Sequence, residues 1–306
     1  VGAAAKTRGE TMTALGESLA QRMTLGYLCT QYGLVASPRF SEPVTVTSIA
    51  DDIDSIRPGS LLLTTGQHVD AQLLADAEMR GAYAILAPAE AKESLESPDI
   101  PVLFGDLDTK QVGELAADIA GKPSESLAVF VVYGEDASAS VKVLAEFLHV
   151  LGNPVGVVSA TGSFSLDRQL DIHYPLSALD MQRLLSVCVE DGASAIAICA
   201  DSRTLQKDAL HAVEVDVLSL AQRTTLRRGQ QDVLAQQASR IYGFALGDRT
   251  GVAARNEDSD TLAVQSNVFQ DDDSTMRLSL SIAMVMSAGV KKNNIRSALR
   301  VSRELS

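Results

Sequence analysis

The stretch Gly134-Glu135-Asp136-Ala137-Ser138-Ala139-Ser140 carries the residue types and spacing that bear most directly on chemistry in this chain. It follows Ala128 to Val132, a short apolar run rich in β-branched residues, as a buried parallel strand requires. From Ser140 onward Val143, Leu144, Phe147, Leu148 and Leu151 recur at helical spacing. Gly152-Asn153-Pro154 stops that helix, and Val155 to Val158 starts another strand. The glycine turn of such a βαβ unit is where phosphates usually bind. A working phosphate loop also needs a Lys for the β- and γ-phosphates and a Ser or Thr for magnesium. This turn has no Lys, and Glu135 and Asp136 sit where a polyanion would lie. At ~4 Å and an effective dielectric of ~20, each like-charge contact costs about 4 kcal/mol before screening. The segment reads as a degenerate nucleotide loop, a phosphate-binding frame without its chemistry.

The remaining chemistry-bearing residues form no constellation. His68, His149, His173 and His211 are scattered, and His149 falls within a helix pattern. Asp51, Asp52 and Asp54, like Asp271-Asp272-Asp273, read as solvated acidic loops rather than cation sites. Ser163 and Ser165 have no nucleophile-elbow pattern around them, and Arg227-Arg228 reads as a solvated surface pair. Cys29, Cys188 and Cys199 show neither metal nor disulfide spacing, so buried thiols in a reducing cytoplasm are expected. Cys199, on an apolar strand, reads as a small core residue. No catalytic residue and no metal site is assigned.

The elements that must position the turn suit an α/β fold. The chain has 306 residues, of which 46% are apolar and only 4% aromatic, and Ala, Leu, Val and Gly dominate. That length suggests about two domains. The formal charge of −13 argues against nucleic acid and acidic membrane surfaces. No apolar run approaches the roughly 20 residues of a membrane span, and no signal peptide is visible. The chain opens with Val1 while Met12 lies inside, so residues 1–15 read as a tail or remnant.

In chain order, residues 13–34 read as a helix with Gly33 as its stop, and Thr45 to Ile49 alternates like a strand. A turn at Arg57-Pro58-Gly59 feeds the strand Ser60 to Thr64. Helices follow over Asp70 to Arg80 and Thr109 to Ile119, with strands at Tyr83 to Leu86 and Pro101 to Phe104 and a polar helix or loop from Pro88 to Ser97. Gly121-Lys122-Pro123-Ser124 is the best linker, dividing the chain into residues 1–123 and 124–306. Beyond the βαβ unit, Ser163 to His173 reads as irregular, and Ser177 caps a helix running to about Asp191. Strands are expected at Ala195 to Cys199, Val213 to Leu220, Phe244 to Leu246, Val252 to Ala254 and Leu262 to Gln265. Leu205 to Ala212 and Thr225 to Ser239 have helical character, Asn256 to Asp260 and Gln270 to Ser274 read as acidic loops, and Leu278 to Ser287 and Asn294 to Arg300 close the chain as helices.

Over residues 24–300 the chain resembles the Mur ligases, most closely the MurE branch. The first half is similar to that branch's UDP-binding domain through Ile49, Arg57-Pro58-Gly59, Leu61-Leu62-Leu63, Gly66, Asp70 and Arg80-Gly81-Ala82. The second half is similar to the family's central domain through the strand before the turn, Leu151-Gly152-Asn153-Pro154-Val155-Gly156-Val157, Leu179, Gln182 to Leu185 and the closing helices. The resemblance implies an N-terminal UDP-binding-like α/β domain followed by a P-loop-like domain with a mostly parallel sheet.

The departures concern function. The family's turn reads Thr-Gly-Thr-Asn-Gly-Lys-Thr-Thr; here Gly134 is kept, Ser138 falls on the Lys and Ala139 on the metal-binding Thr. Cys199 falls on a magnesium-holding Glu, and a soft thiol is a poor magnesium partner. Leu220 to Thr225 lacks the family's acid and His, Ser239 falls on its carbamylated Lys, and Ile53-Asp54 on a Ser-Arg pair. His173-Tyr174-Pro175 keeps only the Pro of the substrate segment, which makes His173, Tyr174 and Cys199 the candidate cleft-lining residues. The chain stops near the point where the family's C-terminal domain begins.

The reading adopted is a catalytically inactive Mur ligase homologue, a cytoplasmic pseudoenzyme acting by binding in peptidoglycan metabolism and using no cofactor. Its expected partners are a cell-wall protein, a division protein or a muropeptide precursor. The alternatives are a small-molecule or nucleotide-sugar binding protein, and an amino-acid ligase that uses ATP and magnesium with a partner supplying the missing domain.

Overall fold

The computed structural model describes residues 24–64, 68–95, 99–221 and 228–305. The chain divides into two compact units, Val1–Gly121 and Lys122–Ser306.

The first unit holds a five-stranded sheet in the order β1-β5-β4-β3-β2. Its strands are β1 (Val35–Ser37), β2 (Ser48–Ala50), β3 (Ser60–Leu63), β4 (Ala82–Ala87) and β5 (Val102–Phe104). All neighbours are parallel except β1, which runs antiparallel to β5. The helices are α1 (Leu25–Tyr32), α2 (Ala71–Met79) and α3 (Thr109–Ile119). Asp70 caps α2 by accepting from the Leu73 amide at 2.8 Å, and Asp108 with Gln111 forms a capping box on α3. Apolar strand faces meet Leu74 and Ala77 of α2 in one core.

Two stretches that carry the family resemblance meet here. Gly59 donates its amide to Gly81 O at 3.0 Å, so the Arg57-Pro58-Gly59 turn is stitched to the end of α2. Gly59 has φ +90, and a Cβ there would stand 2.4 Å from Thr47 Oγ1. A side chain at that position would have to move the Thr47 hydroxyl and hold a left-handed backbone that only glycine enters freely.

The second unit is built on a seven-stranded sheet in the order β12-β11-β6-β10-β7-β8-β9. Its strands are β6 (Ala128–Tyr133), β7 (Val155–Val158), β8 (Ser163–Ser165), β9 (Arg168–Leu170), β10 (Ala195–Ala200), β11 (Val217–Leu220) and β12 (Gly251–Ala253). From β12 to β7 every pair is parallel, and β7, β8 and β9 form an antiparallel edge. Six consecutive buried residues make β10 the central strand, as an all-apolar run in a parallel sheet requires. The helices are α4 (Ala137–Val150), α5 (Ala178–Glu190), α6 (Arg228–Tyr242), α7 (Glu257–Ser266), α8 (Asp272–Ser287) and α9 (Lys292–Leu305). Leu144 of α4, Leu262 of α7, Ile282 of α8 and Ile295 of α9 pack in one core, while Met181 and Leu185 of α5 and Ala238 of α6 pack in the other. The sheet therefore carries helices on both faces. The mixed α/β fold with two mostly parallel sheets agrees with the expectation from the sequence.

Several local expectations are corrected. Of Ser163 to His173, expected to be irregular, residues 163–170 supply the β8–β9 hairpin, with Val157 opposite Phe164, and only residues 171–173 are irregular. Leu205 to Ala212 is a series of turns rather than a helix, because Asp208 N and Leu210 N donate to Ile241 O and Tyr242 O at the end of α6. Of Val213 to Leu220 only Val217–Leu220 is strand, since Asp216 spends its side chain on the Val129 amide at 2.7 Å where pairing begins. Phe244 to Leu246 is not a strand; Phe244 O accepts the Ser239 hydroxyl at 2.6 Å. Leu262 to Gln265 lies inside α7, and the two acidic loops are the capped starts of α7 and α8, with Asn256 and Asp271 as caps. Thr45 to Ile49 yields only the short β2. The part of the residue 13–34 helix before Thr24, and Gly66, lie outside the described residues. Among the described residues no helix is long and apolar enough to cross a membrane.

Candidate functional site: the turn after β6

β6 ends at Tyr133, and the chain must reverse into α4. Gly134 makes the reversal with φ +127, a region only glycine enters freely. Its missing Cβ would stand 2.7 Å from Ala221 O, and the Ala221 amide donates to Tyr133 O at 2.8 Å. The end of β11 is thus laced against the turn. α4 starts at Ala137 rather than Ser140, so Ser138 and Ala139 belong to its first turn. Ala137 and Ser140 are buried, Ser138 and Ala139 are half-buried, and Glu135 is exposed.

The position expected for a phosphate-loop lysine is closed sideways. Ser138 Oγ shares hydrogen bonds with Ser159 Oγ at 3.1 Å and Thr161 Oγ1 at 2.9 Å, and those two hydroxyls are 2.9 Å apart. Three hydroxyls therefore form a ring between α4 and the loop after β7. Each can donate once and accept twice, so the ring is satisfied without any cation. A second link lies deeper: buried Ser163 Oγ accepts from Ser159 N at 3.1 Å and from the Tyr174 hydroxyl at 2.6 Å.

The two carboxylates of the turn behave differently. Glu135 points to solvent, but Asp136 accepts from Arg277 Nε at 2.7 Å and Nη2 at 3.1 Å. The like-charge penalty expected for Asp136 is therefore offset within the molecule. Its carboxylate raises the Arg277 guanidinium further above its ordinary value. Arg277 was not found from the sequence, because it lies 141 residues from Asp136 and no local pattern connects them.

The other candidate residues are not gathered into one cluster of chemistry. Cys199 is fully buried in the core, and burial, with the neighbouring Asp201 charge, pushes its thiol up to about 12. A protonated buried thiol is no ligand for a hard cation. His173 is exposed and Tyr174 half-buried with its hydroxyl committed to Ser163. Tyr133 and Tyr242 meet edge to face with ring centroids 6.3 Å apart, and burial pushes the Tyr242 phenol up to about 12. Asp201 loses solvation, yet hydrogen bonds from Thr204 and Arg203 hold its carboxyl below the usual range. Asp54 pairs with Arg80 at 3.0 Å, and Asp52 accepts from the Ser55 amide at 2.7 Å. Of the segment Leu220 to Thr225 only the first two residues are described. Among the described residues no group of three His, Cys, Asp or Glu is placed to hold a metal ion.

Comparison with known proteins defines the fold. No family model matches the chain. A crystal structure of MurF from Acinetobacter baumannii superposes with a TM-score of 0.56 at 13% identity, covering 92% of this chain and 66% of that one. A structure of UDP-N-acetylmuramoyl-L-alanyl-D-glutamate–2,6-diaminopimelate ligase superposes with a TM-score of 0.53 at 11% identity, covering 86% of this chain and 63% of that one. The fold is therefore the one found in Mur ligase domains. Sequence relatives narrow the resemblance to one branch. The UDP-N-acetylmuramoyl-L-alanyl-D-glutamate–2,6-diaminopimelate ligase of Pseudomonas syringae pv. tomato is 31% identical over 185 residues, covering 59% of this chain and 37% of the relative. The ligase of the same name from Streptomyces coelicolor is 27% identical over 196 residues, covering 63% of this chain and 38% of the relative. The matched segment thus spans less than two fifths of each relative's length.

Proposed function

We propose that this chain is a Mur ligase homologue that does not ligate and that works by binding, in the cytoplasm, within peptidoglycan metabolism. In this reading residues 1–123 are the UDP-binding-like domain and residues 124–306 the central-domain-like unit with a degenerate nucleotide loop. One observation carries it: the lysine position holds Ser138, whose hydroxyl is closed into a ring with Ser159 and Thr161. Ligation through an acyl phosphate requires the ATP phosphates to be neutralised by a Lys and magnesium before an amine attacks. Ser138 supplies no charge, and the buried Cys199 thiol supplies none for a metal.

The parts that remain are those of a binder. The Gly59–Gly81 stitch and the parallel sheets support a retained frame. The names of the relatives point to a UDP-linked muramoyl peptide, or a protein that handles one, as the partner. The test is isothermal titration of the purified chain with ATP and magnesium. The expected result is no heat at millimolar ATP. Binding in the micromolar range overturns the reading and favours a turn that still takes nucleotide.

A further inference from the structure

From Ser274 to Arg303 the chain holds six basic residues and no acidic one, although its formal charge is −13. Four of the six, Lys291, Lys292, Arg296 and Arg300, stand at the start and along the first turns of α9, and all four are exposed. Ile295 and Leu299 turn another flank of the helix into the core shared with α4, α7 and α8. Lys292, Arg296 and Arg300 are spaced four residues apart, so they line one face. Lys292 Nζ pairs with Asp258 at the start of α7, which fixes that end of the stripe. Arg296 and Arg300 have no hydrogen-bond or ion-pair partner among the described residues.

The charge and shape of this stripe select what it can meet. The apolar flank of α9 is spent on the core, so the helix cannot lie in a bilayer as a free amphipathic helix does. A flat anionic membrane or a nucleic-acid duplex would also bring the acidic remainder of the chain against its own sign. A narrow acidic segment avoids both costs. Residues four apart on a helix are separated by about 6 Å along its axis. Alternate residues of an extended segment face the same way and are about 6.6 Å apart. Carboxylates at every second position of such a segment therefore match Arg296 and Arg300 nearly in register, and each guanidinium can take a carboxylate through two parallel donors.

We propose that the Arg296–Arg300 face of α9 is a docking surface for an extended acidic protein segment with carboxylates at alternate positions. The surface does not depend on whether the turn after β6 takes nucleotide.

The experiment measures fluorescence anisotropy of a labelled peptide of alternating Glu and Ser, titrated with the full chain at physiological ionic strength. The variant Arg296→Gln/Arg300→Gln removes the stripe. The control Lys207→Gln/Arg240→Gln removes the same charge from exposed positions beside and on α6, which packs in the other core. Circular dichroism checks folding. Expected are saturable binding by wild type, at least about tenfold weaker binding by the stripe variant, and unchanged binding by the control. Silence of wild type at millimolar peptide overturns the inference. An equal loss in the control overturns it too, because net charge alone then governs binding. Tighter binding to phosphatidylserine vesicles or to a DNA duplex than to the peptide assigns the stripe to another class of partner and also overturns it. Should the double variant fail to fold, Arg296→Gln alone decides, with at least about threefold weakening expected and unchanged binding overturning the inference.

Discussion

The Cβ that Gly134 lacks would stand 2.7 Å from the carbonyl oxygen of Ala221. The same Ala221 donates its amide to Tyr133 O, so the turn cannot retreat without breaking the pairing of β11 with β6. Gly134→Ala is therefore expected to destabilise the second unit by about 1–3 kcal/mol from backbone strain alone, with the contact adding to it. Urea unfolding of the variant checks this. A midpoint equal to wild type would mean that the turn relaxes freely.

Ser138→Ala removes one corner of the hydroxyl ring and leaves Ser159 and Thr161 with each other. A net loss of about 0.5–1.5 kcal/mol follows from an intramolecular hydrogen bond of this kind. The double variant with Thr161→Ala should lose less than the sum of the singles, since both remove the same Ser138–Thr161 bond. Thermal melts of the four proteins measure that coupling; strict additivity would mean the hydroxyls do not interact.

Much of the frame is legible in the sequence because apolar period and caps agree. Thr109–Ile119 and the Ser177-capped helix are examples, and the βαβ unit that opens the second half is another. α7 escapes because its buried face is Ser259, Leu262, Ala263 and Ser266. Two of the four positions at the i, i+3, i+4, i+7 spacing are serines, so hydropathy shows only the short apolar run between them. The turns at Leu205 to Ala212 carry buried Leu205, Ala209 and Leu210, but positive φ at Asp208 and Ala212 ends any helix. At the candidate site the absence of any lysine from Gly134 to Ser140 is legible from residue types alone. The Asp136–Arg277 pair is not, because only the packing of α4 on α8 brings it together.

Asp201 gives a pH dependence with a defined sign. Hydrogen bonds from Thr204 and Arg203 overcome its desolvation, so its folded pKa lies below the unfolded value of about 3.9. The unfolded chain then binds the proton more readily, and stability contributed by this carboxylate is present above that pH. It is lost as pH falls through the folded pKa. Asp201→Asn should lower stability at pH 7, and the gap to wild type should close progressively below about pH 4. Denaturant titrations from pH 2.5 to 7 measure it. A gap that does not change with pH would assign the effect to shape rather than charge.

The thiols report on the core beneath the turn. Cys188 and Cys199 are both fully buried, and burial pushes them up to about 11 and about 12. Against an ordinary thiol pKa of about 8.5, the thiolate of Cys199 at pH 8 falls to roughly one part in ten thousand. Cys29, half-buried near Glu42, is also raised but is partly open to solvent. A thiol reagent at pH 8 should therefore label only Cys29 in the native protein, and all three cysteines once urea unfolds it. Peptide mass spectrometry assigns the sites. Because labelling of Cys199 requires β10 to open, its rate should rise in Gly134→Ala, whose strained turn lies at the end of the neighbouring strand β6. Rapid native labelling of Cys199 would mean that the strand end is accessible, and with it that a soft metal could reach the position where the ligase resemblance expects a magnesium ligand.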